Sequence, residues 1–550
     1  MLPVISIVVV AYFLLYALAF SIPIHFTRSQ SPLRQNLHLE KPELGPQSSF
    51  EAWLQEEEKI ALDRILRNVA PGGSNAPDAT PGTIIASPSR EYPNYYYQCS
   101  ETIPLAFFHL AKLTQRLGIR DAAITASSLV SLYTANPHSY LSSKVLSPIL
   151  ESYAYLSHTL QHTPNPSGNF ADLSGLGEPK FHVSGTAFID PWGRPQRDGP
   201  ALRALTLMTY LRAYNASHPT LWVREGGRKN PFADLYDASM PPNSIIKADL
   251  EYVARYWRDP GFDLWEEVSG LHFFTALVQH RALREGAELA AAFGDWGARK
   301  WYAMQADLLR DELLPRFWSA ERGHLIASLD KPERSGLDCG VLLGAIHGTA
   351  IGDEDARYAP YSDEVLVSLL ELVRDQRKRF PINAGPLSLA AEAGEFDELA
   401  GVGIGRYPED AYDGYGFASQ GGNPWFLCTA SASETLYRTG AHITSTRFLN
   451  VSSTSLPFWN ALLPSFHLDA GTVYEPGDAV YHKALKRLKS TGDSFLAVVR
   501  KHADGEGALS EQFDRLTGYE RGARDLTWSY GAFLQAVKAR NTFTVEEMYR

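Results

Sequence analysis

Chemically capable side chains concentrate in four long segments rich in glycine, proline, aspartate and aromatic residues: Asn165 to Pro200, Pro260 to Gly270, Gly401 to Trp425 and Gly505 to Trp528. In the second, Phe262-Asp-Leu-Trp-Glu-Glu-Val268 places Glu266 and Glu267 directly after Trp265. A carboxylic acid desolvated against an indole keeps its proton to higher pH and can act as a general acid. Adjacent acids are more often only a solvated surface pair. The fourth segment holds Ser510-Glu511-Gln512, where Glu511 taken alone reads as ordinary solvated charge. The first runs through Gly175-Leu-Gly-Glu-Pro-Lys180 to Trp192-Gly-Arg-Pro-Gln-Arg-Asp-Gly-Pro200. Trp192 offers a flat apolar face, and Arg194, Gln196, Arg197 and Asp198 offer directional hydrogen bonds, a mixture that suits sugar rings. The competing reading is a buried tryptophan beside a structural ion-pair network. The third, Gly401-Val-Gly-Ile-Gly405-Arg406-Tyr-Pro-Glu-Asp410, lacks the GxGxxG spacing of a phosphate loop, and Pro408 does not fit the helix start that motif needs. A nucleotide role is rejected; Arg406 with Glu409 and Asp410 either anchors hydroxyls or pins the loop.

Other reaction classes find less support. No HExxH zinc helix and no Gly-x-Ser-x-Gly elbow occurs, and Cys99, Cys339 and Cys428 are too dispersed for a zinc site. No metal or organic cofactor is expected. The elements that must hold these segments are helices. Ile103, Ala106, Phe107, Leu110, Leu113 and Leu117 recur at three- and four-residue spacing, and so share one helix face. Val365, Leu366, Leu369, Leu370, Leu372 and Val373 do the same, with Ser362 or Asp363 as N-cap and Pro381 beyond the end. A third helix is predicted over Phe273 to Phe293. These stripes are core packing, and the long segments between them are where function is expected, because loops of that length rarely persist without it.

Composition agrees with a large globular body. The chain has 550 residues, of which 45% are apolar and 21% charged, which allows three or four ordinary domains or one large single-core enzyme. From about Ser48 onward no linker, low-complexity tract or repeat divides it, which favours one domain. A formal charge of −11 argues against a broad phosphate-gripping surface, so nucleic acid is not expected as a partner. Three cysteines allow at most one intramolecular disulfide.

Taken together the segments resemble the fungal glucoamylases of glycoside hydrolase family 15. The resemblance runs from Ser49-Phe-Glu-Ala-Trp-Leu54 through Ala86-Ser-Pro-Ser89, Gly177-Glu-Pro-Lys180, Trp192 to Pro200, Asp263-Leu-Trp-Glu-Glu267, Gln279-His-Arg-Ala-Leu283, Gly405-Arg-Tyr-Pro-Glu-Asp410, Gly422-Asn-Pro-Trp-Phe-Leu-Cys428 and Ser510-Glu-Gln512 to Arg524-Asp-Leu-Thr-Trp528, in that order. It implies an all-α, six-plus-six (α/α)6 barrel whose inner helices converge on a loop-lined pocket. It also implies release of β-D-glucose from the non-reducing ends of α-1,4-glucans. Glu266 would be the general acid and Glu511 the general base of an inverting mechanism, which needs roughly 6.5–9.5 Å between the carboxyl groups. By similarity Tyr95, Trp192, Leu264, Trp265, Glu267, Arg406 and Trp528 line the sugar subsites, with Trp425 nearby. The expected partner is an α-glucan or maltooligosaccharide, and the expected state a monomer. Many relatives add a starch-binding domain through a Ser/Thr-rich linker; here Arg550 follows soon after the last motif, so soluble dextrins are the expected substrate. Most cysteines bridged in secreted relatives are missing, and no disulfide that folding requires is expected.

One segment departs from the family. Members carry Trp-Thr-Arg-Asp after a Tyr-x-Tyr segment, where the Arg and Asp grip the terminal glucose. This chain has Asn94-Tyr-Tyr-Tyr-Gln-Cys99-Ser-Glu101-Thr102, so Cys99, Glu101 and Thr102 stand for Trp, Arg and Asp. Losing two charge-assisted hydrogen bonds, at roughly 1.5–3 kcal/mol each, costs about 10² to 10⁴ in transition-state stabilisation. Three readings follow: a site re-tuned for another terminal sugar, a weakly active or inactive glucan-binding relative, or a frame difference in the gene.

At the N-terminus, Leu2 to Ile24 is almost continuously apolar, and Ala17-Leu18-Ala19 offers the small residues signal peptidase accepts. Residues 1–19 are read as a signal peptide, 20–47 as a flexible segment and 48–540 as the catalytic domain. The competing reading is an uncleaved anchor to about residue 24, the only route to membrane association. Two sequons, Asn215-Ala-Ser217 and Asn450-Val-Ser452, support secretion over the anchor.

Overall fold

The computed structural model describes residues 49–90, 117–221, 230–350, 352–353, 356–384, 397–416, 418 and 420–543. Among them, twelve helices of ten residues or more alternate between an outer and an inner layer. The outer helices are α1 (Phe50–Arg67), α3 (Ser147–His162), α5 (Ile245–Tyr256), α7 (Trp296–Leu308), α9 (Asp363–Arg379) and α11 (Ala479–His502). The inner helices are α2 (Ile119–Ala135), α4 (Gly199–Ser217), α6 (Phe273–Ala292), α8 (Cys339–Gly348), α10 (Phe426–Thr446) and α12 (Thr527–Thr542). Each inner helix packs on the next, α2 on α4, α4 on α6, α6 on α8, α8 on α10, α10 on α12, and α12 back on α2. That closed ring is the six-plus-six barrel.

Sequence explains which helix goes where. In α9 the buried residues Val365, Leu366, Leu369, Leu370, Leu372 and Val373 form one side, and charged residues such as Lys378 face water, the amphipathy of a helix covered on one side only. The predicted boundaries hold, with Ser362 at the N-cap position and Pro381 past the end, although the Ser362 side chain makes no capping hydrogen bond. The helix predicted over Phe273 to Phe293 is α6. In contrast α8 reads Cys-Gly-Val-Leu-Leu-Gly-Ala-Ile-His-Gly and is buried almost throughout, as a helix enclosed by both rings must be. Its glycines let it press close: a Cβ on Gly344 would stand 2.8 Å from the Phe273 ring, and one on Gly348 2.6 Å from Leu277 Cβ. The stripe predicted from Ile103 lies outside the described residues except for Leu117, which pairs with Phe181 in a two-residue ribbon.

The N-terminal ends of the inner helices are fastened to one another. Arg120, in the first turn of α2, forks onto Asp198 just before α4 and donates to the Leu264 carbonyl in the segment before α6. The Cys339 amide of α8 donates to the Arg406 carbonyl at 2.8 Å, and the Phe426 amide of α10 to the Glu511 carbonyl at 3.3 Å. The four function-bearing segments therefore gather at one end, each leading into an inner-helix N-terminus, where partial positive charge favours carboxylates. Short antiparallel ribbons clamp two of them: Gly261–Phe262 with Ser269–Gly270 closes the Glu266 loop, and Gln512–Phe513 with Glu520–Arg521 closes the loop after Glu511. No helix among the described residues is long and apolar enough to cross a membrane.

Cys339 and Cys428, both buried at the starts of α8 and α10, are joined by a disulfide that spans 89 residues. Sequence reasoning expected no bridge that folding requires. It missed the pairing because nothing in a linear spacing of 89 shows that adjacent inner helices bring both residues to one level.

Candidate active site

Glu266 sits at the tip of a tight loop with a left-handed backbone, φ 62°, a conformation rare for a residue with a side chain. Asp263 builds that loop: its carbonyl accepts the Glu266 amide at 3.0 Å, and its carboxylate accepts the Glu267 and Val268 amides at 2.7 and 3.1 Å. The indole that grips the Glu266 carboxylate is not its neighbour Trp265 but Trp192, whose Nε1 donates to Oε2 at 2.5 Å. Lys180 Nζ lies 3.3 Å from the centre of the Trp192 ring, and Arg120 Nη1 is 3.6 Å from Glu266 Oε1. Burial pushes the Glu266 carboxyl up to about 8, even though the Arg120 and Lys180 charges pull it down. A group so placed is protonated at neutral pH and able to donate.

Glu267 faces the other way. Arg406 Nη2 stands 2.9 Å from Oε1, Arg334 donates to Oε2 at 3.0 Å, and Tyr407 donates to the same oxygen. Burial alone would raise its proton affinity, but Arg406, Tyr407 and Arg334 overcome that and hold it below the ordinary carboxylate range. Arg406 itself is buried, forks onto Asp410 at 2.9 and 2.6 Å, and lies among the rings of Trp265, Tyr407, Tyr412 and Trp425. It thus anchors both its own loop and Glu267.

A continuous aromatic wall leads from this region to Glu511. Trp265 donates to both Asp338 oxygens at 3.0 Å and packs at 5.6 Å from Trp425. Tyr412 lies 6.4 Å from Trp425 and donates its hydroxyl to Glu511 Oε2 at 3.4 Å. Glu511 is fully buried, and Gln512 donates to the same oxygen at 3.4 Å. The Glu511 amide donates to the Ala523 carbonyl at 2.8 Å, and the Ser529 hydroxyl in α12 donates to the Ser510 carbonyl at 2.9 Å. Trp528, next to Ser529, is buried; its Nε1 and that of Trp425 have no hydrogen-bond partner among the described residues.

Of the residues named from sequence, Trp192, Leu264, Trp265, Glu266, Glu267, Arg406, Trp425, Glu511 and Trp528 are therefore described, and contacts run through most of them. Tyr95, Cys99, Glu101 and Thr102 lie outside the described residues. The ion-pair network of the competing reading of the first segment is present: Arg194 clamps Glu178 at 3.1 Å, Gln196 and Asp198 bind Arg120, and Trp192 bonds Glu266. Sequence reasoning missed Arg120, Asp263, Asp338 and Tyr412. An aspartate three residues before Glu266 is a turn signal, but nothing in the sequence ties Arg120 to a carboxylate 146 positions later.

The profile of the family described as glycosyl hydrolases family 15 matches residues 59–538. The chain belongs to glycosyl hydrolase family 15. This family member is 34% identical over 516 residues to a glucoamylase of Saccharomycopsis fibuligera, covering 90% of this chain and 91% of that one. It is 33% identical to the intracellular sporulation-specific glucoamylase of Saccharomyces cerevisiae, covering 90% and 84%. The solved glucoamylase from Saccharomycopsis fibuligera superposes with a TM-score of 0.76 at 33% identity, over 90% of this chain and 96% of that one. The glucoamylase from Hypocrea jecorina gives 0.75 at 33%, over 91% and 74%. The resemblance read from the ordered motifs, and the all-α barrel it implied, are borne out.

Proposed function

We propose that this family 15 chain is an inverting, exo-acting glucan 1,4-α-glucosidase that releases β-D-glucose from the non-reducing ends of starch-like dextrins and maltooligosaccharides. Glu266 donates its proton to the glycosidic oxygen as the C1–O bond breaks. Water attacks C1 from the opposite face and passes a proton to Glu511, leaving Glu266 ionised and Glu511 protonated until solvent exchange resets both. Trp192 orients Glu266 through its N–H, and Arg406, Arg334 and Tyr407 fix Glu267 as a carboxylate beside it. The observation that carries the reading is geometric: Glu266, gripped by the Trp192 indole beside Arg120, and the fully buried Glu511, bonded by Tyr412, stand on segments gathered at one end of the barrel along one aromatic wall, which supplies the two carboxyl groups that inverting hydrolysis needs.

The test is glucose release from maltooligosaccharides with the anomer recorded. Turnover giving β-glucose, abolished by Glu511→Gln and by Glu266→Gln, is expected. Saturable binding without turnover, or an α product, overturns it. We further infer entry to the secretory pathway. The apolar stretch from Leu2 to Ile24, which contains Ala17-Leu18-Ala19, and the Cys339–Cys428 disulfide support it, since structural disulfides belong to oxidising compartments.

A further inference from the structure

The two sequons stand in different surroundings. Asn215 lies in the last turn of α4, half-buried beside Leu211, Phe232 and Leu289. Asn450 lies on a separate two-stranded ribbon, Leu449–Val451 paired antiparallel with Thr472–Tyr474, directly opposite Val473. Strand alternation buries Leu449 and Val451 and turns Asn450 to solvent. Phe448, immediately before the strand, is 52% exposed; Val473, across from Asn450, is 50% exposed. A single exposed apolar residue needs no explanation. Here two large ones stand near an exposed acceptor amide, one two positions before it and one directly opposite, on a ribbon with no third strand among the described residues.

We propose that Asn450 carries an N-linked glycan whose first N-acetylglucosamine lays its apolar face on the Phe448 ring and the Val473 side chain, and that Asn215 is unmodified. The proposal rests on the secretory reading above. The co-reactant is an N-acetylglucosamine-terminated oligosaccharide held on a lipid pyrophosphate. The Asn450 amide nitrogen forms a bond to C1, the bond from C1 to the pyrophosphate oxygen breaks, and one amide proton leaves with the lipid pyrophosphate; nothing is oxidised or reduced. In the folded ribbon the Ser452 hydroxyl accepts the Thr454 and Ser455 amides at 3.1 and 3.2 Å. Attachment therefore precedes closure of that turn, on the emerging chain. The sugar then covers the exposed apolar face, as stacking of a pyranose on an aromatic ring allows.

The experiment separates attachment from export. The full chain is expressed in a secreting yeast both with its own N-terminus and behind a proven cleavable leader. Protein from the medium is treated with a glycoamidase in ¹⁸O-water and mapped by peptide mass. Conversion of Asn450 to labelled Asp with Asn215 unchanged is expected, and Asn450→Gln should lose the glycan mass and keep its glucosidase activity. Unconverted Asn450 in leader-driven protein overturns the proposal. Retention in the cell of the native-N-terminus chain alone overturns the secretory reading and with it the glycan on the native chain, while conversion of Asn450 in the leader-driven protein still identifies Asn450 as the acceptor. Stacking is tested by thermal denaturation before and after deglycosylation: a drop in Tm that disappears in Phe448→Ala is expected, and an unchanged drop overturns the stacking.

Discussion

Glu266 and Glu267 are neighbours in sequence and opposites in proton affinity, and the difference is made by residues far along the chain. Because burial keeps Glu266 protonated up to about 8, loss of its proton should set the alkaline limb of the pH profile. We predict that kcat/KM on maltotriose, which reports the free enzyme, bends near pH 8 and falls about tenfold per unit above it. The Lys180 charge lowers the proton affinity of Glu266, so Lys180→Met should move that bend to higher pH; a shift downward, or none, would show that another group controls the limb. The residues standing at Cys99, Glu101 and Thr102 supply a second prediction. If they stand where the family grips its terminal glucose, Cys99→Trp, Glu101→Arg and Thr102→Asp combined restore two charge-assisted hydrogen bonds, and activity on maltose should rise at least about tenfold. No gain would mean that the segment binds a different sugar geometry. At this scale the sequence is legible where motifs are contiguous and illegible where partners are remote. Trp265 beside Glu266 invited the inference that it desolvates the acid, yet Trp192 makes the hydrogen bond, because the left-handed turn at Glu266 sends adjacent side chains in different directions.

Among elements, the inner helices α8 and α10 carry the clearest coupling between packing and site. Asp338 caps α8 through the Gly340 amide and holds the Trp265 indole. One residue on, Cys339 binds Cys428 in the first turn of α10, three residues after Trp425. The bridge thus ties together two helix starts on either side of the Trp265–Trp425 contact, since Asp338 just before α8 holds Trp265 and Trp425 stands just before α10. In the chain-entropy account a closed loop of 89 residues is worth about 4–5 kcal/mol against the unfolded state. We expect Cys339→Ala with Cys428→Ala to lower the guanidinium unfolding midpoint by a corresponding amount while leaving the slope of the transition nearly unchanged; an unmoved midpoint would show that the bridge adds nothing to stability. Helix rhythm made α6 and α9 readable from Phe273 and Asp363 onward, since their apolar spacing and caps are local. The α8–α10 staple was not, since it depends on which helices become neighbours in the ring.

On the scale of the whole molecule, the barrel was legible only as what the family resemblance of the ordered motifs implies, whereas composition alone allowed several domains. The closed ring also buries many ionisable groups, and these determine how stability depends on pH. Burial raises Glu57, Glu266 and Glu520 from the ordinary 4.5 to about 8, with repulsion from Asp504 adding to the rise at Glu57 and Glu520. Burial likewise raises Asp338 from 3.8 to about 7. Between those ordinary values and their folded ones the unfolded chain has lost protons that the native chain keeps, so these groups destabilise the fold as pH rises. The histidines act in the opposite sense. Burial lowers His280 from 6.5 to about 4 and His347 to about 3, with nearby arginines adding to the effect. As pH falls below 6.5 the unfolded chain binds protons that the native chain refuses, and stability is lost toward acid. Above 6.5 these raised carboxylates change and these histidines do not, and below 4.5 the histidines are joined by carboxylates held low, such as Glu267 and Glu285, in losing stability toward acid. Calorimetry across pH 3 to 9 should therefore show the highest Tm between about 4.5 and 6.5, with decline on both sides. Glu57→Gln with Glu520→Gln should flatten the alkaline side and leave the acid side in place, since neither glutamine titrates and both histidines remain. A double variant whose alkaline decline is as steep as before would mean that the buried carboxylates at α1 and the Glu511 loop do not govern it.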